Sequence, residues 1–262
     1  MATLLRWLLI SINCHLLSAP KRRVRRLLVP DRLRVVNNAL KPIGYSPRME
    51  PLILHVDGFW NSPYAFSAFV CLKEKGLPFE TREVNLHEKA QQRPDFKTKS
   101  VTARVPVLEH GAFRLSESSA IVEYLEDLFG PPRYPAMLPA APQERARARQ
   151  IMAWIRSDLM PIRDERATHT FFYKHPVQPL SAAGQAAAEK LIGAASAFIP
   201  DGHTSLFDSF CVADADLAMM LMRLVGNGDE VPAKLRDFVA AQWRRPSVRA
   251  WVERERAPYV PY

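Results

Sequence analysis

Val105-Pro-Val-Leu-Glu-His-Gly-Ala-Phe-Arg-Leu-Ser-Glu-Ser-Ser-Ala-Ile-Val-Glu-Tyr-Leu125 decides how this chain is read. It divides into a proline-led strand, a tight turn at Gly111, a second short strand, and a helix opened by Ser116-Glu117-Ser118. A helix N-terminus gathers unpaired N–H donors and partial positive charge, so it receives carboxylates readily. Glu117 and Ser118 add an anionic acceptor and a hydroxyl at the same spot. A ligand carrying both a carboxylate and an ammonium, as a free amino-acid end does, fits that arrangement. Pro106 fixes the turn before the strand, with a cis bond as one way to do so. The N–H and C=O of Val105 can then pair with an extended peptide. Alone, a serine-rich helix start is usually only a cap, so the argument needs a further element.

That element lies about forty residues upstream. Leu52-Ile-Leu-His-Val56 is a compact apolar strand, followed by Asp57-Gly-Phe-Trp-Asn-Ser62-Pro63-Tyr64 and a helical run. Proline suits the first helical turn, where its missing N–H costs nothing. Ser62 therefore falls at the N-terminus of the first helix, with its hydroxyl available to cap the helix or to face a ligand.

With these pieces in order, the chain resembles the glutathione transferase superfamily. The matching segments are Ser62-Pro63-Tyr64, Lys73-Glu-Lys-Gly76-Leu-Pro-Phe79, Arg104-Val-Pro-Val-Leu108 and Leu115-Ser-Glu-Ser-Ser-Ala-Ile121. They continue through Arg145-Ala-Arg-Ala-Arg-Gln150, Trp154-Ile-Arg-Ser-Asp-Leu-Met-Pro161, Cys211-Val-Ala-Asp214 and Pro246-Ser-Val248. The likeness spans Pro51 to Trp251, and its second half is most similar to the bacterial YfcF-like glutathione transferases. It implies a thioredoxin-like α/β N-terminal domain with a four-stranded mixed sheet, joined to an all-α helical bundle.

The chemistry the resemblance implies is ionisation of the glutathione thiol for attack on an electrophilic small molecule, with peroxide or disulfide reduction as side activities. A free thiol has a pKa of about 8.5, which a hydroxyl donor and a helix start can lower. The matching donor is Ser62, with Asn61 and Tyr64 as rivals, Tyr64 lying two residues inside the helix where packing is the expected role. By the same resemblance Val105 bonds the cysteine backbone of glutathione, and Glu117 and Ser118 hold its γ-glutamyl end. Arg104, Lys99 and Lys97 are candidates for its glycine carboxylate, Arg104 foremost. A homodimer, glutathione as co-substrate and a cytoplasmic location are implied as well. His169 and Phe171-Phe-Tyr173 stand where the electrophile pocket usually lies, with ordinary packing as the alternative.

Some features narrow this. No cysteine stands at Asn61 or Ser62, against thiol transfer through an enzyme disulfide, and Cys71 reads as core. The zeta-class pattern Ser-Ser/Cys-x-x-Trp-Arg-Val is missing near the first helix, which weighs against a glutathione-dependent isomerase. A non-catalytic binding protein of the same fold is the other alternative. Cys211 stands where the family often has a Ser or Thr cap, shifting the helix-start bonding to Asp214.

The net charge of +9 sits in the first 48 residues, where ten basic side chains face Asp31 alone. The body beyond them is neutral, so the charge is no argument for nucleic acid. Residues 1–48 read as a targeting peptide, a basic surface anchor, or upstream sequence read in frame with Met49 as the working start; no packed core is expected there. The apolar run Leu4–Leu17 is broken by Arg6, Asn13 and His15 and is too short to span a membrane. Three cysteines without metal-like spacing suit a reduced compartment, and the scattered histidines suggest no metal site. Domains are expected at 49–130 and 143–262, joined by a proline-rich linker at 131–142.

Overall fold

The computed structural model describes residues 50–261; the basic extension 1–48 and the start at Met49 lie outside the described residues. The first half contains β1 (Leu52–Asp57), α1 (Pro63–Glu74), β2 (Phe79–Val84), the short α2 (Pro94–Lys97), β3 (Val107–His110), β4 (Phe113–Ser116) and α3 (Ser118–Leu128). The sheet order is β2-β1-β3-β4, with β1 parallel to β2 and antiparallel to β3, and β3 antiparallel to β4. This is a mixed four-stranded sheet of βαβ plus ββα, as anticipated.

After a helix-free stretch the chain is helical: α4 (Pro142–Ser157), α5 (Met160–Glu165), α6 (Thr168–Phe172), α7 (Ala182–Phe198), α8 (Val212–Val225), α9 (Ala233–Trp243) and α10 (Pro246–Val252). Asp214 opens α8 by accepting from the backbone N–H of Cys211 at 2.8 Å and of Leu206 at 2.7 Å. Burial pushes its carboxyl up to about 6.

The helix α1 is the hinge pin of the architecture. Every residue from Ala65 to Leu72 is buried, because α1 packs on the sheet, on α3, and on α8 and α10 of the helical half. Phe66 and Phe69 meet Trp251 at ring separations of 6.0 and 5.3 Å. A helix apolar all round belongs between two layers, so one hydrophobic core runs through both halves. Cys71 lies inside it, and burial pushes its thiol up, leaving it inert.

At the far end of α1, the Lys75 ammonium is buried. It donates to Glu126 Oε2 at 2.7 Å, to the Phe129 carbonyl at 2.9 Å and to the Pro135 carbonyl at 3.0 Å. Three acceptors offset its desolvation and join α1, α3 and the following connection. The opposite end of α1, its N-terminus, faces the site.

Candidate functional site

The turn between β1 and α1 is organised by a buried carboxylate. Asp57 ends β1 fully buried and accepts from the backbone N–H of Asn61 at 2.8 Å and of Ser62 at 3.0 Å. Burial pushes its carboxyl up, against the pull of those two donors. The turn passes through Trp60 at φ 52° and delivers Ser62, in extended conformation, as the N-cap of α1. Ser62 Oγ accepts from the Ala65 N–H at 3.2 Å, which leaves its own proton available for donation. The C-terminal segment braces this turn from outside. Arg254 lies 3.7 Å from the Trp60 ring centre, and Arg256 donates to the Trp60 carbonyl at 3.2 and 3.3 Å.

The second wall is the loop before β3. The Val105–Pro106 bond is cis. Ser100 Oγ clips the loop, donating to the Arg104 carbonyl at 2.9 Å while accepting from the Arg104 N–H at 3.1 Å. Val105 precedes the first paired residue of β3, so its backbone groups are not consumed by the ladder.

The third wall is the start of α3. Glu117 adopts φ 71°, ψ 114°, with its side chain exposed and making no cap bond. Ser118 beside it is buried, and its Oγ accepts from Arg156 Nε at 3.3 Å and Nη2 at 3.1 Å. Arg156 reaches across from α4, and also binds Asp216 Oδ2 at 2.8 Å and Ser67 Oγ at 3.2 Å. Its guanidinium therefore adds positive charge behind the helix start, where a carboxylate is best received.

Two adjoining pockets open between these walls. One, of about 140 Å³, is lined by Tyr64, Arg104, Val105, Glu117, Ser118 and Arg156, with Pro106 and Ser119. The other, of about 270 Å³, is lined by Asn61, Ser62, Tyr64, Arg104 and Val105, with Thr168 contributed by the helical half. Because Tyr64, Arg104 and Val105 are common to both, Ser62, Arg104, Val105, Glu117 and Ser118 converge on one cleft.

Asn61 is buried yet lines the second pocket. Lys99 is engaged elsewhere, donating to Glu109 at 3.2 Å beside His55, and Lys97 lines neither pocket. Tyr64 corrects the expectation of simple packing: it lines both pockets, and its hydroxyl accepts from Arg163 of α5. His169 and Tyr173 are occupied by packing: His169 stacks on Tyr259 at 4.4 Å, and the Tyr173 hydroxyl donates to the Ala257 carbonyl at 2.9 Å. Asp57, which holds the turn, and Arg156, which lines the first pocket, were not singled out from the sequence. An Asp directly after an apolar strand and before a turn was a usable signal for Asp57; nothing local marks Arg156. Among the described residues no cluster of three or more His, Cys, Asp or Glu is placed to hold a metal. Among the described residues no helix is long and apolar enough to cross a membrane.

Residues 54–127 match the family model described as glutathione S-transferase, N-terminal domain, and residues 142–255 match the glutathione S-transferase C-terminal domain. A crystal structure of a glutathione transferase homolog from Burkholderia gl BGR1, with bound glutathione, is 47% identical with TM-score 0.65. That alignment covers 78% of this chain and 97% of the other. Among curated relatives, a probable glutathione S-transferase from Oryza sativa subsp. japonica is 36% identical over 106 residues, 40% of this chain and 44% of the relative. A maleylpyruvate isomerase from Ralstonia sp is 34% identical over 108 residues, 41% and 50% of the two chains. The chain thus spans about half the length of these curated relatives.

Proposed function

Since the chain belongs to the glutathione S-transferase superfamily, we propose that it is a glutathione transferase whose cleft binds the tripeptide and ionises its thiol. The observation that carries this reading is the convergence of Ser62, Val105, Glu117 and Ser118 on one cleft at two helix starts. In it, the Glu117 carboxylate accepts from the γ-glutamyl ammonium, while the Ser118 hydroxyl and the free N–H groups of α3 receive the neighbouring carboxylate. Val105 pairs with the cysteine backbone, and Arg104, which lines both pockets, receives the glycine carboxylate. The thiol then lies at the start of α1, where the Ser62 proton is donated to sulfur. That bond is stronger to thiolate than to thiol, so the thiol pKa falls. The thiol proton passes to solvent water, the thiolate sulfur forms the new bond to an electrophilic carbon, and the displaced pair leaves with the departing group or settles on the substrate. Peroxide and disulfide reduction use the same nucleophile.

A second reading, a glutathione-dependent isomerase, is favoured by the likeness to maleylpyruvate isomerase over 108 residues and disfavoured by the missing zeta pattern. It differs in consuming no glutathione. A reduced cytoplasmic setting and a homodimer complete the proposal; the described cysteines, Cys71 and Cys211, are free and buried.

Calorimetry with glutathione, followed by ultraviolet titration of the bound thiol, tests the reading. Binding with a thiol pKa below the free value of about 8.5 supports it. Absence of binding refutes it, and binding without ionisation leaves the non-catalytic alternative. Glutathione consumption during turnover separates transferase from isomerase.

A further inference from the structure

Behind Tyr64 lies a third, smaller cavity of about 30 Å³, walled by Pro63, Ile155, Met219 and Met220 and by Arg156, Arg163, Arg223 and Asp216. Three guanidiniums meet one carboxylate there, and that carboxylate is already taken by Arg156 at 2.8 Å. Arg163 spends its donors on neutral acceptors: the Asp158 carbonyl at 3.1 Å, the Ile155 carbonyl and the Tyr64 hydroxyl. Arg223 is 5% exposed. Its Nη1 donates to the Arg166 carbonyl at 2.9 Å, while its buried Nε has no partner among the described residues. No carboxylate lies within 4 Å of either Arg163 or Arg223 among the described residues. Burial pulls Arg223 down to about 10, with the neighbouring charge of Arg163 acting in the same direction.

Buried charges are ordinarily paired, because desolvating an ion costs several kcal/mol. Two adjacent guanidiniums without a counter-charge, one with an orphaned buried donor, mark a place where an anion completes the structure. The cavity has the scale of a carboxylate head or a water, not of an aromatic ring. It adjoins the cleft at Tyr64, which lines all three spaces.

We propose that Arg163 and Arg223 form a subsite for a carboxylate carried by the second substrate, so that the preferred electrophiles are organic acids. This rests on the glutathione-cleft reading, since the acid must reach the arginines from a thiol held near Ser62. The apolar Met219, Met220 and Ile155 then contact the carbon chain leading to the acid.

The test uses stable conjugates and needs no turnover. A series of S-(ω-carboxyalkyl)glutathiones with two to six methylenes is compared with the matching methyl esters by calorimetry on the full chain. At one optimal length the acid is expected to bind at least tenfold more tightly than its ester. Arg223→Met should bring that ratio close to one, and Arg223→Lys, which keeps the charge, should retain part of it. Should Arg223→Met fail to fold, Arg163→Met is read in the same way. The proposal is overturned if no length favours the acid. It is also overturned if the variants weaken glutathione, acid and ester equally, since the arginines would then serve glutathione's own carboxylates. If glutathione itself does not bind the wild type, the cleft reading falls first and this subsite with it.

Discussion

The cleft is built from two helix starts that solve the same problem in opposite ways. At α1 the helix start is braced from within: Ser62 caps Ala65, and Asp57 takes the N–H groups of Asn61 and Ser62 in the turn before the helix. At α3 the donors are left uncapped, and the preceding residue, Glu117, holds a backbone conformation that L side chains rarely adopt. Such a conformation costs about 1–3 kcal/mol and persists where the surroundings over-determine it. The closed start positions a single hydroxyl, whereas the open one leaves its donors uncapped. The proposed glutathione site would use both, one to tune the sulfur and the other to hold a charged peptide end.

The largest expected effect comes from breaking the closed start. Asp57→Ala strips the acceptor from two N–H groups, at about 1–3 kcal/mol for each donor left unsatisfied. Urea unfolding should show that loss, and turnover should vanish as Ser62 loses its position. An unchanged midpoint would mean that the turn is held by the Arg254 and Arg256 brace instead.

At the open start, Glu117→Ala removes the acceptor for the ligand's ammonium. A lost charged hydrogen bond is worth about 1.5–3 kcal/mol, so glutathione affinity should fall roughly ten- to a hundredfold. Calorimetry with unaltered affinity would remove Glu117 from the site.

Ser62→Ala should act on chemistry more than on binding. It raises the pKa of the bound thiol by about one to two units, with little change in glutathione affinity, because the peptide ends are held elsewhere. Loss of the cap adds a stability decrement of about 1 kcal/mol. If the thiol titrates as in the wild type while Asn61→Ala shifts it, the donor is Asn61. If neither variant moves it, the main-chain N–H groups of α1 ionise the sulfur.

A smaller effect sharpens the contrast directly. Glu117→Gly should stabilise the fold by about 1 kcal/mol, by relieving the backbone strain, while losing affinity as the alanine variant does. If the glycine variant is less stable than wild type, the conformation at 117 is not a source of strain.

Outside both helix starts, the sheet offers a control. His55 and Glu109 meet at 2.5 Å on neighbouring strands. Burial lowers the His55 pKa, so acidification protonates the unfolded chain first. Burial alone would raise Glu109, but its bonds to His55 and Lys99 outweigh that and lower it, acting in the same direction. The stability contributed by this pair should therefore decline as pH falls below about 6.5, against the opposite trend from the raised carboxyls of Asp57 and Asp214, and His55→Leu should flatten the pair's decline. A steepened decline in the variant would show that the histidine does not carry it.

How much was legible beforehand follows from the range of the interactions. Apolar runs at Leu52–Val56 and Val107–Leu108, the turn at Gly111 and the prolines at 63 and 106 are local signals, and they marked the βαβ and ββα pieces. Ser62, Val105 and Glu117, which line the cleft, could be singled out because helix starts and strand entries have sequence signatures. Arg156 was not, since its partners Ser67, Ser118 and Asp216 lie 38 to 89 residues away. Arg223 was hidden for a different reason: α8 is so apolar that one arginine in its last turn reads as an exposed helix-end cation. Tyr64 was read as packing because its proximity to α5 depends on how the two halves meet.

The sequence by itself thus determined the order of elements, the two helix starts and the residues that sit on them, because hydrophobic period, proline and capping chemistry act within a few residues. Only the tertiary structure decided which charges are paired, which are stranded, and which side chains from the helical half enter the cleft. Desolvation and ion pairing depend on distances in space between residues far apart in the chain, and α1, buried between the two layers, sets those distances.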